Sequence, residues 1–486
     1  MDQMKNQLGS KHSLYSQIIE GACLILVILI YFWIFTGGDW GAWPQDQKYY
    51  DQLATAFTNG HLSLNIKPDP ELLKLPDPYQ NSIARKKIAF LWDTSLYKGK
   101  IYLYWGPVPA LLLALIKPIY NSKVNDSSLA FFFSCGQLIS SFLVIKAVKE
   151  RIFQAMPIWT VALAVFLVGL VSPIPLMLHG PAAYEAAIMA GQFFLVLGIY
   201  WAYKAIVSDS ISKWKLTIAG LSWALAVGCR ATLVVPIAFL VCLTILEIIQ
   251  RYKIKTDLSR IWLTIFAFGL PLALGAILYA WYNYSRFGSP LETGLRYQLT
   301  VENLHKYYNL LFSMSYIHSN LHNYLLNPFK VIPAFPFISM QAGKDLLASG
   351  APHELYLYRI REITGLLYGF PYILFAAIPI IAISIIEFKK ISHKPIDQSE
   401  SSGLIFLGKS LAGAFVFAFL ALQPFFSMAM RYLDDAVPSL VLLSIIGFWM
   451  AYDHFANQRI AQTALSIVSV SLAMLSIYIG LALQPR

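Results

Sequence analysis

Charged residues are scarce in this chain: Asp, Glu, Lys and Arg make up 13% of its 486 residues. Hydrophobic residues make up 57%, which excludes an ordinary soluble domain. Apolar runs of roughly 18–22 residues recur along the chain, and each is long enough to cross a bilayer as a helix. The composition therefore predicts an all-α polytopic membrane protein. The net charge of +11 follows the membrane topology, and we expect no nucleic-acid partner.

Several motifs that carry chemistry are also missing. The chain has no internal repeat, no glycine-rich nucleotide-binding loop and no Ser/His/Asp nucleophile set. His318 and His322 have the spacing of two helical metal ligands, but no acidic third ligand lies near them in sequence. We therefore expect no bound metal and no other cofactor. All four cysteines fall in apolar runs without metal-ligand spacing, which predicts no disulfide framework: Cys23, Cys135, Cys229 and Cys242.

The positive-inside rule orients the chain. Residues 1–17, with Lys5 and Lys11, are predicted to be cytoplasmic. Residues 18–483 are predicted to form one membrane-embedded domain, and 484–486 an outer C-terminus. Two long outer regions, 37–128 and 283–365, are predicted to carry interfacial helices. We predict about eleven transmembrane helices: 18–35, 129–145, 159–171, 182–203, 216–228, 233–249, 262–282, 366–387, 404–425, 437–452 and 461–483.

The short apolar segment 110–120 leaves two topologies open. If it spans the membrane, the basic cluster Lys146, Lys149 and Arg151 falls on the outer side. If it lies in the interface, the cluster is cytoplasmic, which is the alternative that the rule favours. The other predicted cytoplasmic loops are all basic: Lys204, Lys213 and Lys215; Arg251, Lys253, Lys255 and Arg260; Lys389, Lys390 and Lys394; and Arg459.

A short amphipathic helix is predicted directly after the first span. Pro44 and Asp46 are start signals and Gly60 is a stop signal. Between them, the apolar residues Tyr50, Leu53, Ala54 and Phe57 recur at helical spacing and form one face. Such a helix is expected to lie in the interface. It would present Asp46, and Asp39 just upstream, at the membrane surface, although helix capping is the simpler role for any single aspartate.

Ionisable residues are predicted to gather at the outer rim rather than at the midplane, where an ion-coupled transporter would keep them. Arg286 and Arg296 bracket a turn that can aim guanidinium groups at an anion, and arginine suits phosphate because it donates bidentately. Snorkelling of Arg286 to the headgroups is the alternative. Arg230 joins two predicted spans at the same rim. The segment Arg431 to Asp435 fits either a metal or sugar site or a helix-start cap.

Three segments resemble the GT-C membrane glycosyltransferases, in particular the branch of protein O-mannosyltransferases and the lipid A aminoarabinose transferase. The segment 46–50, Asp-Gln-Lys-Tyr-Tyr, resembles the Asp-Glu-x-x-Tyr motif of the first outer loop. The segment 106–109, Gly-Pro-Val-Pro, resembles the Pro-Pro-Leu element that opens a second interfacial helix. The segment 219–230 resembles a Gly-Leu-Ala-x-x-Thr-Lys/Arg-Pro stretch. Two departures are Gln47, which replaces the second acid, and Val108, which splits the prolines.

The resemblance implies a GT-C-like fold and an inverting transfer of sugar from a polyprenyl-phosphate donor to a glycan, lipid or protein acceptor. The site would face the outer side of a bacterial inner membrane, among the membrane lipids. Asp46 would be the catalytic base, and Asp39 is the second candidate. The candidate ligands of the donor phosphate are Arg230, Arg286, Arg296 and Arg431. The candidate contacts to the sugar or acceptor are Trp43, Tyr50, Asp93 and Glu292.

Two other functions stay open at this point. A lipid or polysaccharide transporter would need ionisable groups along a path through the membrane. An O-antigen-type ligase or polymerase would use a diphosphate-linked donor and depend on the later-loop arginines and on His305, His318 and His322 more than on Asp46. The sequence identifies neither the sugar, nor the acceptor, nor the oligomeric state.

Overall fold

The computed structural model describes residues 2–120, 122–253, 258–347, 357–391 and 401–483. The predicted outer C-terminus, 484–486, lies outside these ranges, as do Lys255 and Lys394. The chain is mostly helical, which confirms the predicted fold class. The helices are α1 (Asp2–Phe35), α2 (Tyr49–Thr58), α3 (Pro70–Lys74), α4 (Ile83–Lys86), α5 (Val108–Ile116), α6 (Asp126–Arg151), α7 (Ile158–Leu170), α8 (Ile174–Met177), α9 (Ala183–Ile206), α10 (Lys213–Cys229), α11 (Val234–Lys253), α12 (Leu258–Phe287), α13 (Ile317–Leu326), α14 (Leu366–Gly369), α15 (Ala377–Ile391), α16 (Ser401–Leu422), α17 (Val437–His454) and α18 (Arg459–Ala482).

Ten of the eleven predicted spans each coincide with one helix, whereas 366–387 is divided into α14, the 3-10 helix Pro371–Ala376 and α15. Eight helices in the described ranges are long and apolar enough to cross a membrane: α1, α6, α9, α11, α12, α16, α17 and α18. The other three predicted spans fall on shorter helices, namely α7, the 17-residue α10 and the apolar segment Pro371–Ile386. Length and composition thus identify eight spans, and the predicted total of about eleven stays a prediction.

The helices differ sharply in how deeply they are packed. Of the most apolar window of α9, 78% is buried, because α6 and α10 cover it on two sides. Gly198 of α9 admits the indole of Trp223 from α10, since a Cβ at this position would lie 2.3 Å from the indole Nε1. By contrast, only 11% of the corresponding window of α12 is buried. This helix packs mainly on α10, with a smaller contact to α11, and a groove lies on each side of it.

The predicted juxtamembrane helix is present as α2, but it begins at Tyr49, so that Asp46 precedes it. The cap comes from a distant residue: Asp126 accepts hydrogen bonds from the backbone N–H of Tyr49 at 2.9 Å and of Tyr50 at 3.0 Å. The predicted apolar face is buried against α5 and its neighbours. The start signals at Pro44 and Asp46 were therefore misleading, because a carboxylate 77 residues away satisfies the first N–H groups.

Helix α5 resolves the two topologies left open for 110–120. It has nine residues, which is about 13 Å at helical rise and too short to cross the hydrocarbon core. It packs beside α2. The structure thus agrees with an interfacial position for this segment.

Small antiparallel sheets and side-chain contacts join the two long outer regions into one cap over the helices. In the first region β1 (Ser95–Tyr97) pairs with β2 (Lys100–Tyr102), and Ser95 also forms a bridge to Gln298 of the second region. The buried Arg85 donates to the carbonyl oxygens of Tyr79 and Thr300. In the second region β3 (Lys330–Val331) pairs with β4 (Ile338–Ser339), and β5 (Gln341–Ala342) pairs with β6 (Glu362–Ile363).

Candidate functional site

Two cavities meet beneath the cap, on the side predicted to be outer, and Arg431 and Tyr184 line both of them. The outer chamber, about 550 Å³, is also lined by His179, Glu185 and Arg361. The inner chamber, about 170 Å³, is lined by Tyr104, Arg230, Thr232, Tyr279 and Tyr432 among others. Arg431 begins a short 3-10 helix, Met430–Asp435, that leads into α17. The guanidinium group therefore stands at the boundary between the two chambers.

Arg431 has no carboxylate partner in the described ranges. Its guanidinium carbon lies 4.4 Å from the ring centroid of Tyr184 and 5.2 Å from that of Tyr432. Its Nε is buried and has no hydrogen-bond partner among the described residues. A buried guanidinium is costly when it is unpaired, and its planar fork suits phosphate or carboxylate. This arrangement is that of an anion-binding group.

Arg230, in contrast, is paired. Its Nε lies 2.7 Å from both carboxylate oxygens of Asp435, and Thr232 donates to the same carboxylate at 3.3 Å. Asp435 therefore fixes the guanidinium group at the wall of the inner chamber and offsets its charge. The neighbouring Asp434 is fully buried, and burial together with the nearby charge of Asp435 raises its pKa to about 8. Neither of the two sequence alternatives for 431–435 describes this pairing, since the carboxylate of Asp435 pairs with the guanidinium group of Arg230 and not with that of Arg431.

Two carboxylates face Arg431. Glu185 lies in the first turn of α9 and accepts a hydrogen bond from the backbone N–H of Ala182 at 2.9 Å. Asp93 comes from the first outer region, in the left-handed conformation (φ 58°) that aspartate adopts more readily than most residues. Gln298 donates to Asp93 at 3.0 Å. Burial raises the pKa of Asp93, and the charges of Arg431 and Arg361 oppose that shift. The site thus places acids from two elements beside an unpaired cation.

An apolar groove opens from the inner chamber between α10, α11 and α12. This lateral groove has a volume of about 550 Å³ and shares Ala231, Tyr279 and Thr293 with the inner chamber. A second apolar groove, about 650 Å³, runs on the other side of α12 and meets the first at Ala224, Gly275 and Tyr279. A long apolar chain lying in the lateral groove would have its polar end beside Arg230 and Arg431.

The structure places the two predicted bases outside these chambers. Asp46 is half-buried and accepts a hydrogen bond from Ser127 at 3.1 Å. Burial raises its pKa, and the bond from Ser127 opposes the shift. Asp39 is exposed and accepts from the backbone N–H of Gly41 at 3.0 Å, which closes a local turn. Neither side chain lines a chamber with Arg431, so their catalytic roles stay predictions from the sequence.

Arg286 and Arg296 are not brought to the chambers either. Arg286 is buried and donates to the carbonyl oxygen of Leu103 and to Oδ1 of Asn283, both at 2.7 Å. Its guanidinium carbon lies 3.7 Å from the ring centroid of Tyr282. Arg296 lies over Tyr308 at 5.2 Å. The turn that they bracket therefore holds the cap to α12 instead of aiming two cations at one anion.

The predicted sugar and acceptor contacts are also dispersed. Trp43 is partly exposed and donates from its indole to Ser128 at 2.9 Å. Tyr50 is fully buried beneath the cap, where it has no surface to offer a sugar ring. Glu292 accepts from the backbone N–H of Gly294 at 2.7 Å and shapes its own turn. Of this group, Asp93 alone lies within electrostatic reach of Arg431.

Tyr184, Glu185 and Arg361 are chamber residues that the sequence analysis did not select. The sequence could have indicated Glu185, because it is an acidic residue in the first turn of a predicted span, where a negative charge stabilises the helix N-terminus. Nothing in the sequence singles out Arg361, which is exposed at the rim of the outer chamber. No group of three or more His, Cys, Asp or Glu side chains with metal-binding geometry occurs in the described ranges.

No protein-family model and no curated protein matches this chain. Among solved structures, it is similar to the apo form of the Archaeoglobus fulgidus oligosaccharyltransferase, with 12% identity and a TM-score of 0.47. It is similar also to archaeal oligosaccharyltransferase AglB from Archaeoglobus fulgidus in complex with an inhibitory peptide and a dolichol-phosphate, with 13% identity and a TM-score of 0.47. Both similarities cover 96% of this chain and 56% of the archaeal chain. The chain thus spans just over half the length of these proteins.

Proposed function

We propose that the protein is a GT-C-like glycosyltransferase that moves a sugar from a polyprenyl-phosphate donor to an acceptor at the outer face of a bacterial inner membrane. The observation that carries the proposal is Arg431, a half-buried arginine whose buried Nε has no hydrogen-bond partner and whose guanidinium group forms no ion pair in the described ranges. It stands between a polar chamber that is open to water and an inner chamber that continues into an apolar groove. A lipid-linked anion fits this arrangement, because its charge would meet Arg431, its lipid chain would meet the apolar groove and its polar part would meet the polar chamber.

The donor phosphate would bind between Arg431 and Arg230. Arg431 supplies a guanidinium group that forms no ion pair in the described ranges, and Arg230 supplies a guanidinium group that Asp435 holds in place. The polyprenyl chain would lie in the lateral groove, whose lining is almost wholly apolar, and would enter sideways from the bilayer past α12. The sugar would then project into the outer chamber, where Tyr184 offers an aromatic ring beside Glu185.

The reaction needs one base and one anion site. The acceptor oxygen or nitrogen would form a bond to C1 of the sugar, and its proton would pass to a carboxylate. The bond between C1 and the phosphate oxygen would break, and the phosphate would leave with the electron pair, stabilised by Arg431 and Arg230. Glu185, which lines the outer chamber, is the carboxylate that the geometry supports for the proton, and Asp93, which lines neither chamber but interacts electrostatically with Arg431, is the second candidate. Asp46 remains the candidate that the family resemblance supports.

The two other functions opened by the sequence receive no support from a specific contact. Of the residues that a ligase would need, the later-loop arginines Arg361 and Arg431 line the chambers and serve the present proposal equally, whereas the three histidines lie away from the chambers. His305 stacks on Tyr79 with the ring centroids 4.9 Å apart, His318 is exposed and His322 lies one turn further along α13. A transporter would need charged groups along a path to the cytoplasmic side, and the lateral groove is apolar along its length.

A transfer assay with purified protein tests the proposal. The protein in detergent is supplied with a panel of radiolabelled polyprenyl-phosphate sugars and a mixture of envelope glycans, lipids and peptides. We expect release of sugar from at least one donor, and its loss in Arg431→Gln while the variant remains folded. Sugar release that is unchanged in Arg431→Gln would contradict the assignment of the phosphate site. Activity only with diphosphate donors would exclude the monophosphate donor.

A further inference from the structure

The hairpin β3–β4 has an apolar and exposed tip, residues 331–337. Its sequence, Val-Ile-Pro-Ala-Phe-Pro-Phe, contains no charged or polar side chain. Phe335 is 81% exposed, Val331 73% and Phe337 53%. Contiguous exposed apolar groups of this kind mark a surface that is covered in the working protein. The tip belongs to the predicted second outer region, where the cap is otherwise in contact with water.

A hydrogen bond fixes the height of this tip relative to the membrane. The hydroxyl of Tyr478 in α18 donates to the carbonyl oxygen of Pro336 at 2.5 Å. Tyr478 lies four residues before the end of α18, which is about 6 Å at helical rise. The 24 residues of α18 measure about 36 Å, and the hydrocarbon core is about 30 Å thick. The tip therefore lies level with the outermost part of the span and not above it.

The surface beside the tip is lipid-facing by its own composition. On α18, Met474 is 66% exposed and Leu475 46%, directly below Tyr478. The exposed side chains of the tip continue this apolar surface outward from the helix. Lys330 stands at the base of the hairpin, where an ammonium group reaches lipid phosphates while its stem stays apolar.

The backbone of the tip is suited to a dry environment. The N–H of Ile332 donates to the carbonyl oxygen of Phe337 at 2.8 Å, and the N–H of Phe337 donates to the carbonyl oxygen of Ala334 at 2.7 Å. Below them, Val331 pairs with Ile338. Unpaired N–H groups would make entry into lipid unfavourable, and two prolines remove two further donors.

We propose that residues 331–337 insert into the outer leaflet of the membrane and anchor the second outer region there. The anchor has a structural consequence for the site. Met340 follows β4 directly and lines the outer chamber, and β5 pairs with β6 next to Arg361. Insertion of the tip thus sets the distance of one chamber wall from the bilayer surface. This inference does not depend on the reaction that the site performs.

Fluorescence quenching at the tip tests the proposal. The four native cysteines are replaced by alanine, Phe335→Cys is introduced, and the cysteine is labelled with the NBD fluorophore. The full chain is placed in nanodiscs of phosphatidylcholine and phosphatidylglycerol. A matched variant carries the label at Glu71, an exposed charged position of α3 in the first outer region. Quenching by lipids with a nitroxide on the upper acyl chain is compared with quenching by dissolved iodide.

We expect the label at 335 to be quenched at least twofold more by nitroxide lipid than the label at 71, and at least twofold less by iodide. Adding Phe337→Asp should reverse this order at 335, because a carboxylate opposes insertion. Equal iodide quenching at 335 and 71 would overturn the proposal. Protection of 335 from both quenchers would overturn it as well, because it would show that protein, such as a second copy of the chain, covers the tip.

Discussion

Two arginines at the rim of the helices differ in the hydrogen bonds that the protein gives them, although the Nε of each has no partner and neither forms an ion pair in the described ranges. Arg286 ends α12 with two short hydrogen bonds, to Leu103 and Asn283, and lies on the ring of Tyr282. Arg431 precedes α17 between two aromatic rings and has no carboxylate partner in the described ranges. The first arginine joins the cap to a helix. The second leaves unused binding capacity at the boundary of two cavities, and this difference separates a structural cation from a ligand-binding one.

Substituting both arginines by glutamine gives the largest contrast. Arg431→Gln should lower transfer by roughly 10²–10³-fold, the size of effect found when one donor to a developing negative charge is removed. Its apparent Tm should change little, because the variant removes a half-buried guanidinium group that forms no hydrogen bond from its Nε but also removes its attraction to Glu185. Arg286→Gln should instead lower the free energy of unfolding by about 1–3 kcal/mol for the carbonyl left unpaired, with activity per folded molecule nearly unchanged. A transfer assay measures the activity of each variant, and thermal unfolding measures the stability of each variant.

The opposite result, loss of transfer in Arg286→Gln and not in Arg431→Gln, would exchange the roles of the two arginines. If Arg286→Gln abolished transfer at full stability, the anion site would lie at the turn bracketed by Arg286 and Arg296, as the sequence analysis suggested. Arg431→Lys is the intermediate case. It retains the charge and loses the bidentate fork, so we expect partial activity.

The carboxylates beside Arg431 give the next largest effect. Asp93→Asn should lower kcat/KM by roughly 10²–10⁴-fold if this residue takes the proton. Since burial raises the pKa of Asp93, the wild-type rate should fall with decreasing pH at a higher pH than for an exposed aspartate. That acidic limb should be missing from the residual activity of the variant. The measurement is a pH profile of kcat/KM for the wild type and Asp93→Asn.

Two matched variants, Glu185→Gln and Asp46→Asn, separate the remaining candidates. A large loss in Asp46→Asn with Asp93→Asn unaffected would favour the residue that the family resemblance selects. It would also require Asp46 to reach a substrate that extends beyond the outer chamber.

The sequence predicted regular and local features well, and long-range partners poorly. Ten of the eleven apolar runs form single helices, with 366–387 divided at Phe370, and the face formed by Tyr50, Leu53 and Ala54 is buried as its spacing predicts. The start of α2 was misplaced because Asp126, distant in sequence, caps it. The roles of Arg286 and Arg431 were indistinguishable for the same physical reason. Each is an arginine at the end of an apolar run, and what separates them is a set of partners that tertiary packing alone brings together.

Narrowing the lateral groove should have a moderate effect that depends on lipid length. Ala276 lines the groove, and Ala276→Phe adds a ring where the polyprenyl chain is proposed to lie. We expect KM to rise about 3- to 10-fold for a long-chain donor, within the range for lost apolar contacts in a pocket. A donor with a short prenyl chain should be unaffected. Ile277→Phe, at the next residue of α12 and outside the groove lining, serves as the control, and an equal rise in KM there would exclude the groove as the lipid site.

The smallest effect contrasts the two adjacent aspartates of the Met430–Asp435 helix. The pKa of Asp434 is raised to about 8, so the folded chain keeps a proton that the unfolded chain releases near pH 4. The stability from this proton is complete at low pH and is lost as the pH rises through about 8. The Asp434→Asn variant has no carboxyl proton to lose at this position. Its apparent Tm should therefore exceed the wild-type Tm by a few degrees at alkaline pH and equal the wild-type Tm at acidic pH. Asp435→Asn removes the ionised partner of Arg230 and should lower Tm at both. If Asp434→Asn were also destabilising throughout, Asp434 would be an ionised partner in the folded protein, and the anion site would carry less positive charge than Arg431 suggests.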